Sequence, residues 1–244
     1  MSEQGFTPEN TPPAGREPVF LLPGAVTAMI GVLVAIHLAS TFVLNPDGMA
    51  QLVFWFAFQP LRILAGASDI ALAVPLIWTP FTHALMHGGW EHLLFNVAWF
   101  AIFATPVTRR YGAGPMLAIF FVSAAAGAAF FAATTLTSGA YLIGASGGVS
   151  GLTGAAVRFI FQPVIVAQHP ETGQRVIVGR KLASFADMWR DTRTRSFVLI
   201  WVVLNAAVPL LPLFTGASVA VAWQAHLGGF IAGIAMVGLF ERRS

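Results

Sequence analysis

Six stretches of this 244-residue chain are long and apolar enough to cross a bilayer, and no other feature restricts its fold as strongly. Roughly 20 predominantly apolar residues are needed to cross a hydrocarbon core of about 30 Å. The stretches run approximately over 19–43, 83–107, 113–136, 143–162, 196–214 and 218–240. In lipid the backbone polar groups must be satisfied inside the segment itself, so such runs become helices. The expected fold class is therefore an all-α polytopic membrane protein with six transmembrane helices. Composition agrees: 57% of the residues are hydrophobic and 9% charged, against about 25% charged in soluble domains.

Charge then sets the topology. With the N-terminus cytoplasmic, the inner segments hold Arg16, Arg109 and Arg110, then Arg158, Arg175, Arg180, Lys181, Arg190, Arg193 and Arg195, and finally Arg242 and Arg243. Of the thirteen Lys and Arg residues only Arg62 falls outside, so the positive-inside rule predicts both termini in the cytoplasm. The same scatter of cations between apolar runs offers no phosphate-binding patch, and nucleic acid is excluded as a partner. The absence of cysteine removes disulfides, thiolate metal sites and a Cys nucleophile. Residues 1–18 are polar and Pro-rich and read as a disordered cytosolic tail, and 241–244 as a cytosolic C-terminus. The outer loop 44–82 contains MAQLVFWFAFQPLRILAG, whose aromatics, Arg62 and Pro60 suit an element lying in the headgroup region. The cytosolic insert 163–195 contains two β-branched runs around a Pro/Thr/Gly turn, then a more helical segment, predicting a hairpin and a surface helix.

Polar residues inside the spans are costly and therefore mark candidate sites. A helix from Ser146 to Gln162 is about 24 Å long, short of the hydrocarbon core, so its start lies below the outer surface. The stretch before it must then dip into the membrane as irregular backbone facing a wet cavity, with Ser146 at its floor. Gly147 and Gly151 repeat at i, i+4, as do Gly229 and Gly233, giving two helices faces that permit close backbone contact. His226 lies three residues before Gly229 and about 12 Å deep, within reach of a hydrogen bond from Ser146. Taken alone, the pair is equally readable as two inert polar partners between packed helices. His92 and Asn96, also at i, i+4, reach a similar depth. Both donate hydrogen bonds without charge, as a developing oxyanion requires. His83 and His87 stand nearer the surface, where they are expected to fix the loop by hydrogen bonds; Glu91 is expected to be exposed and His37 to be a satisfied packing residue.

Two other classes compete. Intramembrane histidines also suit a haem or metal protein, but no deep carboxylate or thiolate completes such a site, and the Gly-lined pairing stays unexplained. A transporter would use broken helices in both halves, and the halves do not repeat. No metal or other cofactor is implied.

The motifs resemble, in order, those of the rhomboid intramembrane serine proteases. They are the His-x-x-x-Asn of His92 and Asn96, the Gly-x-Ser-Gly of Gly144, Ser146 and Gly147, and the Ala-His-x-x-Gly-x-x-x-Gly of Ala225, His226, Gly229 and Gly233. The resemblance covers about 19–240. It implies a six-span rhomboid-like membrane domain in a bacterial inner membrane and cleavage of transmembrane segments of protein substrates. It also implies Ser146 as nucleophile, His226 as general base, and His92, Asn96 and the Ser146 backbone N–H as oxyanion hole. Trp78, Phe81, Thr82, His83 and His87 match the segment leading into the second span. Ser150 replaces an aromatic residue that in many bacterial members stacks on the base, and Thr79 replaces an Arg of the outer loop. A catalytically inactive relative that binds transmembrane clients is the alternative. No Asp lies within the spans, so the resemblance points to a Ser-His dyad without a third carboxylate.

Overall fold

The computed structural model describes residues 22–168, 173–207 and 221–241. Its first helix, α1 (Gly24–Phe42), buries Val26, Met29, Leu33, His37 and Ser40. Their spacing of three and four residues is one helical stripe. Val32, Leu38 and Phe42 face outward, which is the arrangement expected when the surroundings are lipid. His37 packs edge-on against Trp90 with ring centroids 4.7 Å apart. Among the described residues neither of its ring nitrogens has a partner, so it is a packing residue but not the satisfied one expected.

The loop after α1, expected on the outer side, folds into short pieces: α2 (Pro46–Phe56), α3 (Leu61–Ala65), α4 (Ile70–Ala73) and α5 (Thr79–Thr82). Asn45 caps α2 by accepting from Gly48 N–H at 2.8 Å, with Pro46 inside the first turn. The other end of α2 is capped by side chains. Its terminal carbonyls accept from Arg62 at Phe54, from Trp78 at Trp55 (2.7 Å) and from Thr82 at Phe56 (2.9 Å). Arg62 also lies over the Phe54 ring, 4.4 Å from its centroid. These bonds satisfy the orphan carbonyls every helix leaves at its C-terminus, so with Thr79 in place of an Arg the loop is anchored through Arg62.

The central helices are α6 (Trp90–Tyr111), α7 (Ala113–Thr135), α8 (Ser146–Ile160), α10 (Thr192–Ala207) and α11 (Trp223–Met236), the last extended by a 3-10 turn to Phe240. Only Gly112 separates α6 from α7, at φ +90°, a conformation that favours glycine. Among the described residues three helices are long and apolar enough to span by themselves: Gly24–Phe42, Ala113–Thr135 and Trp223–Phe240. In α8 every residue from Gly147 to Phe159 is buried, which identifies it as the central helix around which α7 and α11 pack most closely.

Several expected boundaries move. The second span was placed at 83–107, but His83–Leu85 form a 3-10 turn and the helix runs Trp90–Tyr111, because Gly88 and Gly89 interrupt it. The insert ends earlier than 195, since α10 begins at Thr192, capped by the Asp191 carboxylate accepting from Thr194 N–H at 2.8 Å. The sixth helix starts at Trp223 rather than 218 among the described residues. Residues 1–21, 169–172, 208–220 and 242–244 lie outside the description, and with them the tail, the hairpin tip and the connection into α11.

The insert between α8 and α10 contains the expected hairpin, β1 (Val164–Gln168) paired antiparallel with β2 (Arg175–Arg180), followed by α9 (Phe185–Arg190). Ser184 and Asp187 form a capping box on α9, and hydrogen bonds from Lys181 and Ser184 hold the Asp187 carboxyl below the usual carboxylate range. Arg158, buried at the inner end of α8, ties the insert to the bundle. Its guanidinium donates to the Ala183 carbonyl at 3.0 and 2.7 Å and to the Ile234 carbonyl at 3.1 Å.

Candidate active site

Ser146 is the first residue of α8 and is half-buried. The strand-like stretch before it is held on both sides. Leu142 exchanges two backbone hydrogen bonds with Phe58 of the outer loop, at 3.1 and 2.8 Å, and Gly144 N–H donates to the His83 carbonyl at 2.9 Å. His83 is itself fixed, its Nδ1 donating to the Thr79 carbonyl at 2.9 Å. It therefore has the loop-fixing role expected of it. His87 does not: both of its ring nitrogens are buried without a partner among the described residues, and the ring packs against His92 at 5.1 Å between centroids. Glu91 is exposed, as expected.

Gly144 has φ +121°, and a Cβ there would come within 2.6 Å of His92 Cε1 and Nε2. Only a residue without a side chain lets the His92 ring approach the turn two residues before Ser146. Asn96, one turn further along α6, is buried and donates one amide hydrogen to the His92 carbonyl at 2.9 Å. The amide has a second hydrogen to offer. Among the described residues no backbone bond takes up the N–H groups of Ser146, Gly147 and Gly148; the first in α8 is Val149 N–H donating to the Ala145 carbonyl at 2.9 Å. Unpaired donors at a helix N-terminus favour negative charge.

The glycine faces of α8 and α11 meet in parallel register. A Cβ on Gly229 would overlap the Gly147 carbonyl oxygen, and one on Gly233 the Gly151 carbonyl oxygen. Near Ser146 the Ala225 carbonyl oxygen stands 3.5 Å from where a Gly147 side chain would begin. Ser146 and His226 each lie one residue from that contact. His226 sits in the first turn of α11, shallower in its helix than the eight residues expected. Ser150, four residues after Ser146, is buried and too small to stack on the imidazole.

His226 Nδ1 meets a different partner, Asn205 Oδ1 of α10, at 2.8 Å. Neither motif nor spacing singles out Asn205. As the lone polar side chain between Phe197 and Ala207, it nonetheless carries the signal of a costly intramembrane group. Among the described residues no three His, Cys, Asp or Glu side chains gather in a metal-binding arrangement.

The family model described as Rhomboid domain matches residues 74–243. The chain is 26% identical over 204 residues to the rhomboid protease GlpG of Pectobacterium atrosepticum, covering 84% of this chain and 59% of that protein. To the rhomboid protease GlpG of an Enterobacter species it is 32% identical over 131 residues, covering 49% of this chain and 42% of that one. The chain thus spans about three fifths or less of the length of these curated relatives. The matched region takes in α6, α7, α8, α10 and α11 and well over half of the chain, and on that ground the chain belongs to the rhomboid family.

Proposed function

We propose that this protein is an intramembrane serine endopeptidase that cleaves transmembrane segments of membrane-protein substrates. The observation that supports this reading is the close approach of Gly147 to Ala225, the residue after Ser146 and the residue before His226, in the first turns of two packed helices. In the reaction, Ser146 Oγ attacks the substrate carbonyl carbon while its proton passes to His226 Nε2. The oxyanion is received by the Ser146 N–H, His92 and Asn96. Nε2 then returns the proton to the leaving amine as the C–N bond breaks, and a water hydrolyses the acyl-enzyme. Water reaches the serine because α8, with fifteen residues, is too short to cross the hydrocarbon core. A substrate helix must unwind to expose its amide, which favours segments weakened by Gly or Pro. The six-span domain sits in the bacterial inner membrane with both termini cytoplasmic, and the insert lies on the cytoplasmic face.

A fluorophosphonate probe tests the reading on the full chain in detergent or nanodiscs. A covalent adduct on Ser146 is expected. Ser146→Ala and His226→Ala should each abolish cleavage of a transmembrane substrate in folded protein, and the double variant should be no worse than either. Asn96→Ala should slow cleavage roughly 10 to 1,000-fold, since other donors remain. Undiminished cleavage by Ser146→Ala would overturn the assignment.

A further inference from the structure

Resting on the protease reading, we propose that Asn205 is the positioning residue for the base: its side-chain carbonyl holds the proton of His226 on Nδ1 and thereby keeps Nε2 free to take the proton of Ser146. A neutral imidazole carries one N–H, and it can act as a base toward Ser146 only from the nitrogen without it. Which nitrogen that is depends on which end of the Asn205 amide faces the ring. The other end decides: Asn205 Nδ2 donates to the Trp201 carbonyl oxygen at 2.8 Å. Turning the amide over would bring two acceptor oxygens together at Trp201, so Oδ1 is the atom 2.8 Å from His226 Nδ1, and an acceptor there requires Nδ1–H.

The helix register that delivers Asn205 is fixed by aromatic packing. Trp201 stacks on Phe230 with centroids 4.1 Å apart and 13° between planes. Antiparallel helices pair residues whose numbers have a constant sum, and one turn onward from Trp201 and Phe230 the partners are Asn205 and His226. One turn in the other direction they are Phe197 and Ile234, which belong to the same apolar cluster. Because each residue step turns a helix by about 100°, a slip of one residue would swing Asn205 off the ring. The device uses no charge. Between Phe197 and Ala207 every other residue is apolar, and an amide is cheaper there than a carboxylate would be. It also accounts for the small Ser150, since the ring is held from α10 rather than by stacking from α8.

During attack the Oγ–H bond breaks as the Oγ–C bond forms, and the proton arrives on Nε2. The Nδ1 proton stays in place, shared with Asn205 Oδ1, and the imidazolium then gives its Nε2 proton to the departing amine.

The test is nitrogen-15 NMR of the full chain labelled at histidine, in the Ser146→Ala background, with the His226 signals identified by their loss in His226→Ala. The expected signature is a protonated Nδ1 and a bare Nε2. In Asn205→Leu the proton should redistribute to Nε2, and in the Ser146-containing protein kcat should fall roughly 100-fold with KM little changed. Asn205→Gln, which keeps both the acceptor and the amide donor on a longer side chain, should recover part of the Nδ1–H signature and of the activity. A protonated Nε2 with Asn205 intact would overturn the proposal, as would an Asn205→Leu substitution that leaves both the nitrogen-15 signature and the kcat of the Ser146-containing protein unchanged. The tautomer is read without catalysis, so its result stands apart from the protease reading, which fails instead if the Ser146-containing protein takes no fluorophosphonate.

Discussion

Adding one methyl group at Gly229 should move Ser146 away from His226, its base in the proposed reaction. A Cβ there would overlap the Gly147 carbonyl oxygen and lie 2.8 Å from its carbonyl carbon and 3.2 Å from its Cα. Both sides of this contact are backbone, so no side chain can rotate out of the way. Restoring carbon contacts of about 3.5 Å or more requires α8 and α11 to part by roughly 1 Å. Overpacking of this kind costs about 1–3 kcal/mol, against about 1 kcal/mol regained from the better helix propensity of alanine. Function should suffer more than stability. Ser146 adjoins Gly147 and His226 lies one turn before Gly229, and a misplacement of about 1 Å costs on the order of 100-fold in rate, equal to about 2.7 kcal/mol. Gly31→Ala is the control, since Gly31 sits on an exposed face of α1 with no atom within 4 Å of the added Cβ; its labelling rate should be unchanged and its stability equal or higher. The assay is the rate of fluorophosphonate incorporation, read beside the thermal unfolding midpoint. If Gly229→Ala labels at the parental rate with a parental midpoint, the reasoning from backbone contact is wrong.

Gly144→Ala and Gly139→Ala should separate strain from function. Both positions have positive φ, at +121° and +68°, so both variants lose stability by about 1–3 kcal/mol. Only the first drives a Cβ into the His92 ring, and only it should lose cleavage beyond the loss of folded protein. Arg158→Met should lower stability by roughly 2–5 kcal/mol, because it removes three charge-assisted bonds and strands the Ala183 and Ile234 carbonyls; an unchanged unfolding midpoint would contradict this. Cysteines introduced at Asp69 and Ser138 should react with a membrane-impermeant thiol reagent from outside the cell and one at Arg175 should not, and labelling at Arg175 in sealed cells would reverse the topology.

Much of the architecture is readable from residue types, and the reason differs from element to element. Apolar length alone identifies the spans, because lipid demands it whatever the neighbours are. The short helix beginning at Ser146 follows from an excess of polar and glycine residues before it, and the hairpin of the insert from β-branched runs around a turn. Glycines at i, i+4 mark where two helices approach, since only there does a missing side chain matter. These features are local, and the sequence by itself determined them.

What only the tertiary structure decided is which faces meet. Asn205 and His226 are 21 residues apart on different helices, and Arg62 reaches the end of α2 from across a loop. Arg158 is partnered by an insert carbonyl and by α11. In a soluble helix an apolar stripe would reveal the inward face. In a bilayer the lipid-facing and bundle-facing sides are both apolar, so apart from Asn205 nothing in the pattern of α10 marks its rotation about its axis. It is set by Trp201 lying flat on Phe230, a contact that exists only once the helices are assembled.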